Sequence, residues 1–382
     1  MNIQFLTYKD KTIDWNLEPI TFKPLTLLVG ASGVGKTQIL RAILNLQKIS
    51  FGTSLSGLEW NIKFLTQKGL SCEWLGSFEN KGPISQMELK LGLGKKNWPT
   101  IEYEKLFINE ELVVDRSKND IFFNGVKTVK LSQVESVIYL LNEEKQIKDI
   151  YQEFEQISFD DYIKDNSEPY LLVVRKEYDV RLYKFETLEF IRNSNENLQI
   201  KLYLSYENAR KTFDEIKEIF IEVFPYVEDV RIALPDKLDG EPQPDFREEP
   251  FIEIKEKGVH DWIGKGNISS GMFKTLMHIA ELYLCADGTV ILIDEFENSL
   301  GINCIDEVTR SIVSSRRSLQ FIITSHHPYI INNINFKNWK LITRKAGVVK
   351  SYDATRFISG ESKHQAFTQL INLDEYVEGI EE

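Results

Sequence analysis

One stretch near the start of the chain constrains the fold more than any other: residues 25–44 read LTLLVGASGVGKTQILRAIL. A short apolar strand ends at Gly30, and a turn rich in glycine then leads through Lys36 and Thr37 into an amphipathic helix. Such a loop points backbone N–H groups at a phosphate, and the helix adds the positive end of its dipole. The GxxxxGKT spacing therefore predicts a phosphate-binding loop on a sheet that begins at the N-terminus.

This loop supplies the first predicted ligand contacts. Lys36 is expected to reach the β- and γ-phosphates of ATP, and the Thr37 hydroxyl is expected to bind Mg²⁺. The alternative is a surface loop that matches the pattern by chance, and the strand before it and the helix after it disfavour that alternative. The residues predicted to contact ATP are Gly30, Ala31, Ser32, Gly33, Val34, Gly35, Lys36, Thr37 and Gln38.

Composition places the chain among globular proteins of ordinary size. Its 382 residues are 42% hydrophobic, which suits two lobes with a substantial core. No apolar run approaches the ~18 to 20 residues that span a bilayer, and the first residues lack a signal peptide, so a cytoplasmic protein without a membrane partner is expected. The net charge of −12 disfavours a surface that coats nucleic acid. Three widely spaced cysteines predict reduced, packed thiols.

The first 150 residues are predicted to be rich in strands. Alternating apolar residues give two or three strands ahead of the loop, and later alternation predicts an antiparallel subdomain with a tight turn at Asn124-Gly125. Residues 131–150 are expected to be helical, and Gln133 at their start is a candidate for a nucleotide-responsive glutamine near the metal. The strands of the subdomain are predicted at 58–65, 70–78, 101–107, 112–114 and 121–123, with an exposed loop at 85–96.

The middle of the chain reads as an insertion. Residues 151–226 combine strands near 170–174 and 181–185 with a helix over 209–224, and the proline-rich residues 234–250 predict a linker. The predicted organisation has three segments. They are 1–150 with the loop and the antiparallel subdomain, 151–250 with an inserted α/β lobe and linker, and 251–382 with the second half of the nucleotide-binding domain.

Two motifs follow in that last segment. Ser269, Ser270 and Gly271 precede a helix over 273–284, which makes either an anion-binding helix N-terminus or an ordinary capped helix. A buried strand over 289–293 then ends in Asp294-Glu295. Ligand-binding groups lie at the carboxyl ends of parallel strands, so Asp294 is predicted to hold Mg²⁺. Glu295 is predicted to orient and deprotonate the attacking water.

A second apolar strand over 319–323 ends in the sequence TSHHP. His326 lies level with Glu295 in a parallel sheet and is predicted to contact the γ-phosphate or the water. The alternative for a single histidine is a structural role. His327 is predicted to make a packing or partner contact.

Together, GASGVGKT, NISSGM, TVILIDE, ENSL and TSHHP resemble the Walker A, signature, Walker B, D-loop and switch-histidine motifs of ABC ATPases, most closely the SMC- and RecF-like branch. The resemblance covers about 1–60 and 260–335. It implies an α/β fold, namely an ABC-type ATPase head with a mixed or parallel nucleotide-binding sheet, an antiparallel β subdomain and an inserted α/β lobe. It also implies a homodimer or higher oligomer around two ATP molecules. In that dimer, Ser269, Ser270 and Gly271 act on the partner's nucleotide, while Asn298 and Ser299 cross the interface. The signature reads ISSGM where the family has LSGGQ, and no Q-loop can be assigned clearly.

Within that branch the chain looks like ATPases of bacterial anti-phage and retron-associated operons, such as Septu-type and OLD-like proteins. This resemblance implies an ATP-gated sensor and scaffold that regulates a separate effector nuclease, because too little sequence follows His327 for the TOPRIM nuclease of OLD-like proteins. DNA or RNA is a further possible partner. The alternative is a DNA-repair ATPase that clamps DNA, using Lys95-Lys96, Arg316-Arg317, Lys337 and Lys340. A transporter subunit is disfavoured by the ~230 residues between Lys36 and Ser269.

Overall fold

The computed structural model describes residues 1–82, 98–159, 187–233, 250–298, 302–314, 317–359 and 362–380. Outside these ranges lie the predicted loop at 85–96, the strands near 170–174 and 181–185, almost all of the proline-rich linker, and Ser299. The chain forms two compact units. Unit 1 comprises Met1–Asp160, Gly288–Phe296 and Ser318–Glu382, and unit 2 comprises Asp161–Asp287 and Glu297–Arg317. This grouping cuts across the three segments set out above.

Unit 1 is built on one mixed sheet, which has fourteen strands within the described residues. In chain order the strands are β1 Asn2–Asp10, β2 Trp15–Thr21, β3 Leu25–Val29, β4 Leu58–Leu65, β5 Ser71–Phe78, β6 Ile101–Ile108, β7 Glu111–Ser117, β8 Ile121–Phe123, β9 Val126–Lys127, β10 Ile157–Phe159, β14 Val290–Ile293, β15 Gln320–Thr324, β16 Trp339–Lys345 and β17 Val348–Asp353. Along the sheet their order is β10-β14-β15-β3-β16-β17-β2-β1-β4-β5-β6-β7-β8-β9. Strands β11 to β13 belong to unit 2. The predicted α/β class with a mixed sheet is confirmed.

The parallel half of this sheet positions the predicted motifs. Strands β10, β14, β15, β3 and β16 run parallel, and in register Ile293 lies beside Ile323, which lies beside Leu27. Every residue of β14 and β15 is buried, as expected for strands covered on both faces. The carboxyl ends of β3, β14 and β15 therefore lie at the same edge, which is where the sequence predicted the ligand-binding groups.

The antiparallel half forms the predicted subdomain. Strands β4 to β9 pair as successive antiparallel neighbours, and Asn124 and Gly125 form the tight turn between β8 and β9 with φ of +50° and +76°. Large aromatic side chains fill its core: the Trp60 and Trp74 rings meet edge to face at 5.2 Å between centroids. The strands and the turn predicted here are confirmed.

The helices of unit 1 mostly follow the apolar periodicity. The prediction of a helix over 131–150 is wrong for residues 131–136, which are not helical. The remainder is two helices, because Asn142, Glu143 and Glu144 interrupt the apolar stripe between Leu141 and Ile147. The helices are α1 Lys36–Ser50, α2 Val137–Leu140, α3 Lys145–Glu155, α9 Pro328–Asn333, α10 Lys363–Ile371 and α11 Asp374–Val377, with 3₁₀ turns at Phe336–Asn338 and Ala354–Arg356.

Unit 2 combines five helices with a small sheet within its described residues. The predicted helix over 209–224 is confirmed as Arg210–Val223, with Phe213, Ile216 and Phe220 buried. The helices are α4 Leu188–Asn193, α5 Leu198–Asn208, α6 Arg210–Val223, α7 Ser270–Leu284 and α8 Ile302–Ser314, with a 3₁₀ turn at Lys265–Asn267. The antiparallel sheet consists of β11 Val227–Ala233, β12 Phe251–Glu256 and β13 Ile263–Gly264.

Two absences concern the cysteines and the membrane. All three cysteines are buried and none forms a disulfide. Burial, with a smaller contribution from Glu153, raises the pKa of the Cys72 thiol to about 12, so this thiol is protonated at neutral pH.

Over the part of the chain that the structure describes, no helix is both long and apolar enough to cross a membrane.

A buried ion pair fixes the antiparallel strands to α2. Glu104 on β6 is fully buried and accepts hydrogen bonds from the indole of Trp74, the hydroxyl of Ser136 and the backbone N–H of Val137. The guanidinium of Arg116 on β7 donates to the second carboxylate oxygen at 3.3 Å. Every one of these partners donates to the carboxylate, so its two oxygens link β5, β7 and the start of α2 to β6.

Replacing Glu104 should therefore destabilise unit 1 strongly. We expect Glu104→Ala to lower the free energy of unfolding by about 3–5 kcal/mol, because it removes the counter-charge of the buried guanidinium and the acceptor of the Trp74, Ser136 and Val137 donors. Urea denaturation measures this effect. Glu111→Ala on the neighbouring strand β7, where the side chain is exposed, should stay within about 0.5 kcal/mol of the parent. Equal midpoints for the two variants would contradict the role of the pair.

Candidate functional site

The phosphate-binding loop connects β3 to α1 as predicted. Its three glycines Gly30, Gly33 and Gly35 have φ of +146°, +82° and +107°, values that other residues rarely adopt. A Cβ atom on Gly30 would lie 2.4 Å from the carbonyl oxygen of Ile342 on β16, so only glycine fits there. Gly35 is the N-cap of α1 and offers no side-chain cap to the first N–H groups of the helix. These N–H groups remain suited to binding an anion.

Lys36 holds its charge inside the loop. Its side chain is only 5% exposed, and its Nζ donates to the carbonyl oxygens of Gly30 and Ala31, both at 2.8 Å. Ser32 and Gly33 on the outer side of the loop are exposed. The loop thus combines a buried cation, a glycine backbone and an opening to solvent, which fits the triphosphate of a nucleotide.

Two predicted metal ligands are in direct contact. The Thr37 hydroxyl, in the first turn of α1, donates to Oδ1 of Asp294 at the end of β14, over 3.0 Å. A hydroxyl and a carboxylate are oxygen ligands that suit Mg²⁺, which takes its remaining ligands from water and phosphate. Within the described ranges no group of three or more His, Cys, Asp and Glu residues could hold a metal. A threonine hydroxyl and one carboxylate beside the loop fit a Mg²⁺ that is bound together with a nucleotide.

Glu295 follows directly and has an unusual backbone. Its φ is +47°, in the left-handed region that residues other than glycine seldom adopt, and its side chain is exposed. Its N–H donates to the hydroxyl oxygen of Thr324 at 2.7 Å, and the next N–H, of Phe296, donates to the Thr324 carbonyl at 3.0 Å. The Thr324 hydroxyl in turn donates to Asp294 Oδ1 at 2.7 Å.

Thr324 was not among the residues predicted for the site. The only signal in the sequence is that a polar threonine follows three apolar residues at the end of a strand. Sequence alone does not show which hydroxyl at that edge reaches Asp294 and Glu295.

The two histidines after β15 differ in their surroundings. His327 is the N-cap of α9, where its Nδ1 accepts a hydrogen bond from the N–H of Tyr329 at 3.3 Å, so it caps this helix. His326 is half-buried and lies two residues beyond the end of β15, in the same unit as Lys36 and Glu295. Its contact with a phosphate or a water stays a prediction.

The signature residues and Asn298 lie in unit 2. Ser269 caps α7, with its Oγ accepting from the N–H of Met272 at 3.2 Å, and both Ser269 and Ser270 are exposed. The Asn298 side chain is exposed too, while its carbonyl oxygen accepts from Lys274 Nζ on α7 at 3.1 Å. The described structure thus leaves the signature serines open to solvent, where a second molecule can reach them.

Gln133 is not among the side chains that the structure brings together with Thr37 and Asp294. Its side chain is exposed, and its Nε2 donates to the carbonyl oxygen of Lys118 at 3.4 Å. It lines a cavity of about 410 Å³ beside β8 and β9, bounded by residues 116–121 and 127–133. Gln38, by contrast, lies half-buried in the first turn of α1.

The C-terminal segment also contacts the phosphate-binding loop, which sequence reasoning missed. The carbonyl oxygen of Gly379 accepts the N–H of Arg344 on β16 at 2.7 Å, and the Arg344 guanidinium lies 3.4 Å from the carbonyl oxygen of Gly33. Gly379 is packed so closely that a Cβ would lie 2.5 Å from Val34 Cγ1 and 3.0 Å from Ala31 Cβ. No local pattern in the sequence marks this contact, because the two segments are more than 300 residues apart.

Comparison with known proteins gives a family and a set of solved structures. A family model described as "AAA domain, putative AbiEii toxin, Type IV TA system" matches residues 25–332. Similar solved structures include the SmcHead bound to the C-winged helix domain of ScpA, with 16% identity, a TM-score of 0.48, and coverage of 92% of this chain and 97% of that one. The SMC head domain from Thermotoga maritima has 13% identity, a TM-score of 0.44, and coverage of 92% and 99%. The Smc head domain with an extended coiled coil from Pyrococcus furiosus, bound to the C-terminal domain of ScpA, has 16% identity, a TM-score of 0.45, and coverage of 93% and 97%. The curated proteins give no match.

The close packing of Gly379 leads to a prediction about the loop. We expect Gly379→Ala to loosen residues 30–36, because the added methyl group collides with Val34 and the φ of +72° is unfavourable for alanine by more than about 1 kcal/mol. Hydrogen exchange of the loop amides, followed by mass spectrometry, should be several-fold faster than in the parent.

Gly125→Ala is the matched control. It has a similar φ of +76° but no atom within 4 Å of the added methyl group. Loop protection should not change in this variant. Unchanged loop exchange in Gly379→Ala as well would show that the C-terminal segment does not support the loop.

Proposed function

We infer that ATP hydrolysis is the activity of this chain, which belongs to the AAA-domain family whose model matches residues 25–332. The observation that carries the proposal is the hydrogen bond between Thr37 and Asp294 at the carboxyl edge of the parallel strands. It joins the predicted phosphate-binding loop to the predicted Walker B acid. Glu295 then follows with an exposed carboxylate.

Each of these residues has a defined task in the proposed reaction. Lys36 and the loop N–H groups bind the β- and γ-phosphates, and Thr37 and Asp294 would hold Mg²⁺. When bound there, Mg²⁺ would offset the negative charge of the phosphates. The Glu295 carboxylate orients a water molecule and accepts its proton, and His326 supports that water or the γ-phosphate.

The active form in this proposal is a homodimer or higher oligomer. Ser269, Ser270, Gly271 and Asn298 belong to unit 2, whereas Lys36 and Glu295 belong to unit 1. The exposure of both serines supports their use by a second subunit. Each ATP would then be bound by the loop of one subunit and the signature of the other.

We expect two substitutions to separate binding from hydrolysis. Lys36→Ala should weaken ATP binding by roughly tenfold to a hundredfold, the effect of losing about 1.5–3 kcal/mol of charge-assisted contact. Glu295→Gln should bind ATP normally but lower kcat by about 10² to 10⁴-fold, because only the base is lost. Phosphate release and calorimetry measure these quantities, and Lys48→Ala at the other, exposed end of α1 is the control.

The same Glu295→Gln variant should accumulate as a dimer with Mg-ATP, as measured by light scattering. Adding Gly271→Glu to it should abolish the dimer without changing ATP binding to the single subunit. Asn195→Glu, an equal charge change on an exposed residue of unit 2, should leave the dimer intact. Persistent turnover in Glu295→Gln would overturn the assignment of the base.

For the biological role, we propose a sensor and scaffold that regulates a separate effector nuclease in anti-phage defence. The resemblance to defence ATPases supports it, as does the family description, which names a toxin and a Type IV TA system. The proposed cytoplasmic location follows from the same role.

The alternative of a DNA clamp has less support from the basic residues suggested for it. The Arg317 guanidinium is engaged within unit 2 by Asp287 and by the carbonyl oxygens of Leu282 and Cys285. Lys340 is buried, and its Nζ donates to Thr21. Lys95, Lys96 and Arg316 lie outside the described residues.

A pull-down from the native host separates the two roles. With Mg-ATP, tagged Glu295→Gln should recover a nuclease polypeptide, and the added Gly271→Glu should reduce the recovery if the dimer is the scaffold. Recovery of DNA alone, released steeply as salt rises, would favour the clamp, because phosphate contacts release counterions.

A further inference from the structure

We propose that Thr324 is a positioning residue whose single hydroxyl sets the orientation of both acids of the site, Asp294 and Glu295. The expected effect on ATP turnover rests on the proposed ATPase function. The positioning role itself rests on the hydrogen bonds that Thr324 makes with the N–H of Glu295, the N–H of Phe296 and the carboxylate of Asp294.

The direction of each hydrogen bond follows from the donors and acceptors available. The N–H of Glu295 can only donate, so the Thr324 oxygen is its acceptor at 2.7 Å. The one proton of the hydroxyl is then available to Asp294 Oδ1, also at 2.7 Å. Thr324 is 1% exposed, so its hydroxyl exchanges these partners for bulk water only if the strand end opens. The Thr324 hydroxyl thus fixes the peptide group of Glu295 and the carboxylate of Asp294.

The backbone at Glu295 requires such a restraint. A φ of +47° is unfavourable for glutamate and persists where the surroundings hold it. Both the hydroxyl and the carbonyl oxygen of Thr324 accept N–H groups from this turn, of Glu295 and of Phe296. The end of β15 therefore holds the turn after β14 in the conformation that leaves the Glu295 side chain exposed.

The same hydroxyl restrains the carboxylate of Asp294 independently of Thr37. Oδ1 accepts from both threonines, at 3.0 Å from Thr37 and 2.7 Å from Thr324. The bond from Thr324 does not depend on Thr37, so it keeps the carboxylate oriented when the Thr37 hydroxyl turns to another ligand. Groups that orient a ligand in this way affect metal affinity and activity although they touch neither metal nor substrate.

The test compares two substitutions that separate the hydroxyl from the methyl group. Thr324→Val keeps the shape and removes the hydroxyl, whereas Thr324→Ser keeps the hydroxyl and removes the methyl group. The matched control is Thr343→Val, at a buried threonine on β16 in the same sheet. If Thr324→Val does not fold, Thr324→Ala removes the same hydroxyl and is measured in its place.

The first readout needs no nucleotide. In the ligand-free protein, hydrogen exchange of a peptide that contains Glu295 and Phe296 should be at least about tenfold faster in Thr324→Val, because the Glu295 N–H loses its acceptor. The Thr324→Ser and Thr343→Val variants should exchange like the parent.

The second readout is turnover with its magnesium dependence. We expect Thr324→Val to lower kcat about 10- to 100-fold and to raise the magnesium concentration for half-maximal rate. Its KM for ATP at saturating magnesium should change by less than about threefold, since the phosphate-binding loop is intact. Thr324→Ser should retain at least half of the parent's kcat.

The results distinguish this inference from the proposed function. If Thr324→Val exchanges and turns over ATP like the parent, the inference is overturned while the ATPase assignment stands. The same holds if Thr324→Val keeps the parent's kcat and Thr324→Ser loses it. A parent protein without ATP turnover would overturn the proposed function. In that case fast exchange in Thr324→Val would still support the positioning role of the hydroxyl.

Discussion

Parallel pairing of β14, β15 and β3 is the constraint on which the rest of the molecule depends. Hydrogen bonds between parallel strands fix the register, so the three strands end at the same edge of the sheet. Gly30 follows β3, Asp294 follows β14, and Thr324 is the last residue of β15. Because every residue of β14 and β15 is buried, a shift of register would expose apolar side chains and is disfavoured. Chain segments more than 250 residues apart are thereby held within hydrogen-bond distance.

The candidate site at this edge places a buried lysine and an exposed glutamate in different surroundings. The Lys36 ammonium is buried against two carbonyl oxygens of its own loop, which compensate part of its charge. Glu295, by contrast, is exposed on a left-handed backbone. Such strain is tolerated where neighbouring groups impose it, here the backbone and hydroxyl of Thr324, and it is common at functional sites.

Two further contacts join parts of unit 1 that are far apart in the chain. The buried Glu104 and Arg116 pair ties β6 and β7 to the start of α2, and the C-terminal segment packs through Gly379 on the phosphate-binding loop. Neither feature has a local sequence pattern. A carboxylate on a strand normally predicts an exposed position, yet Glu104 is fully buried. The partners of Glu104 and of Gly379 come near only in the folded chain.

The sequence by itself determined the phosphate-binding loop, the apolar strands with their terminal acids, the antiparallel subdomain and the cap at Ser269. Each of these depends on residues close together in the chain, where periodicity, glycine spacing and capping residues act directly. The tertiary structure decided which residues meet: that Thr324 contacts both acids and that Gln133 lies beside Lys118. These outcomes depend on strand order and on the packing of distant segments. A local pattern carries no information about either, because the same strands can pair in many orders while keeping the same burial.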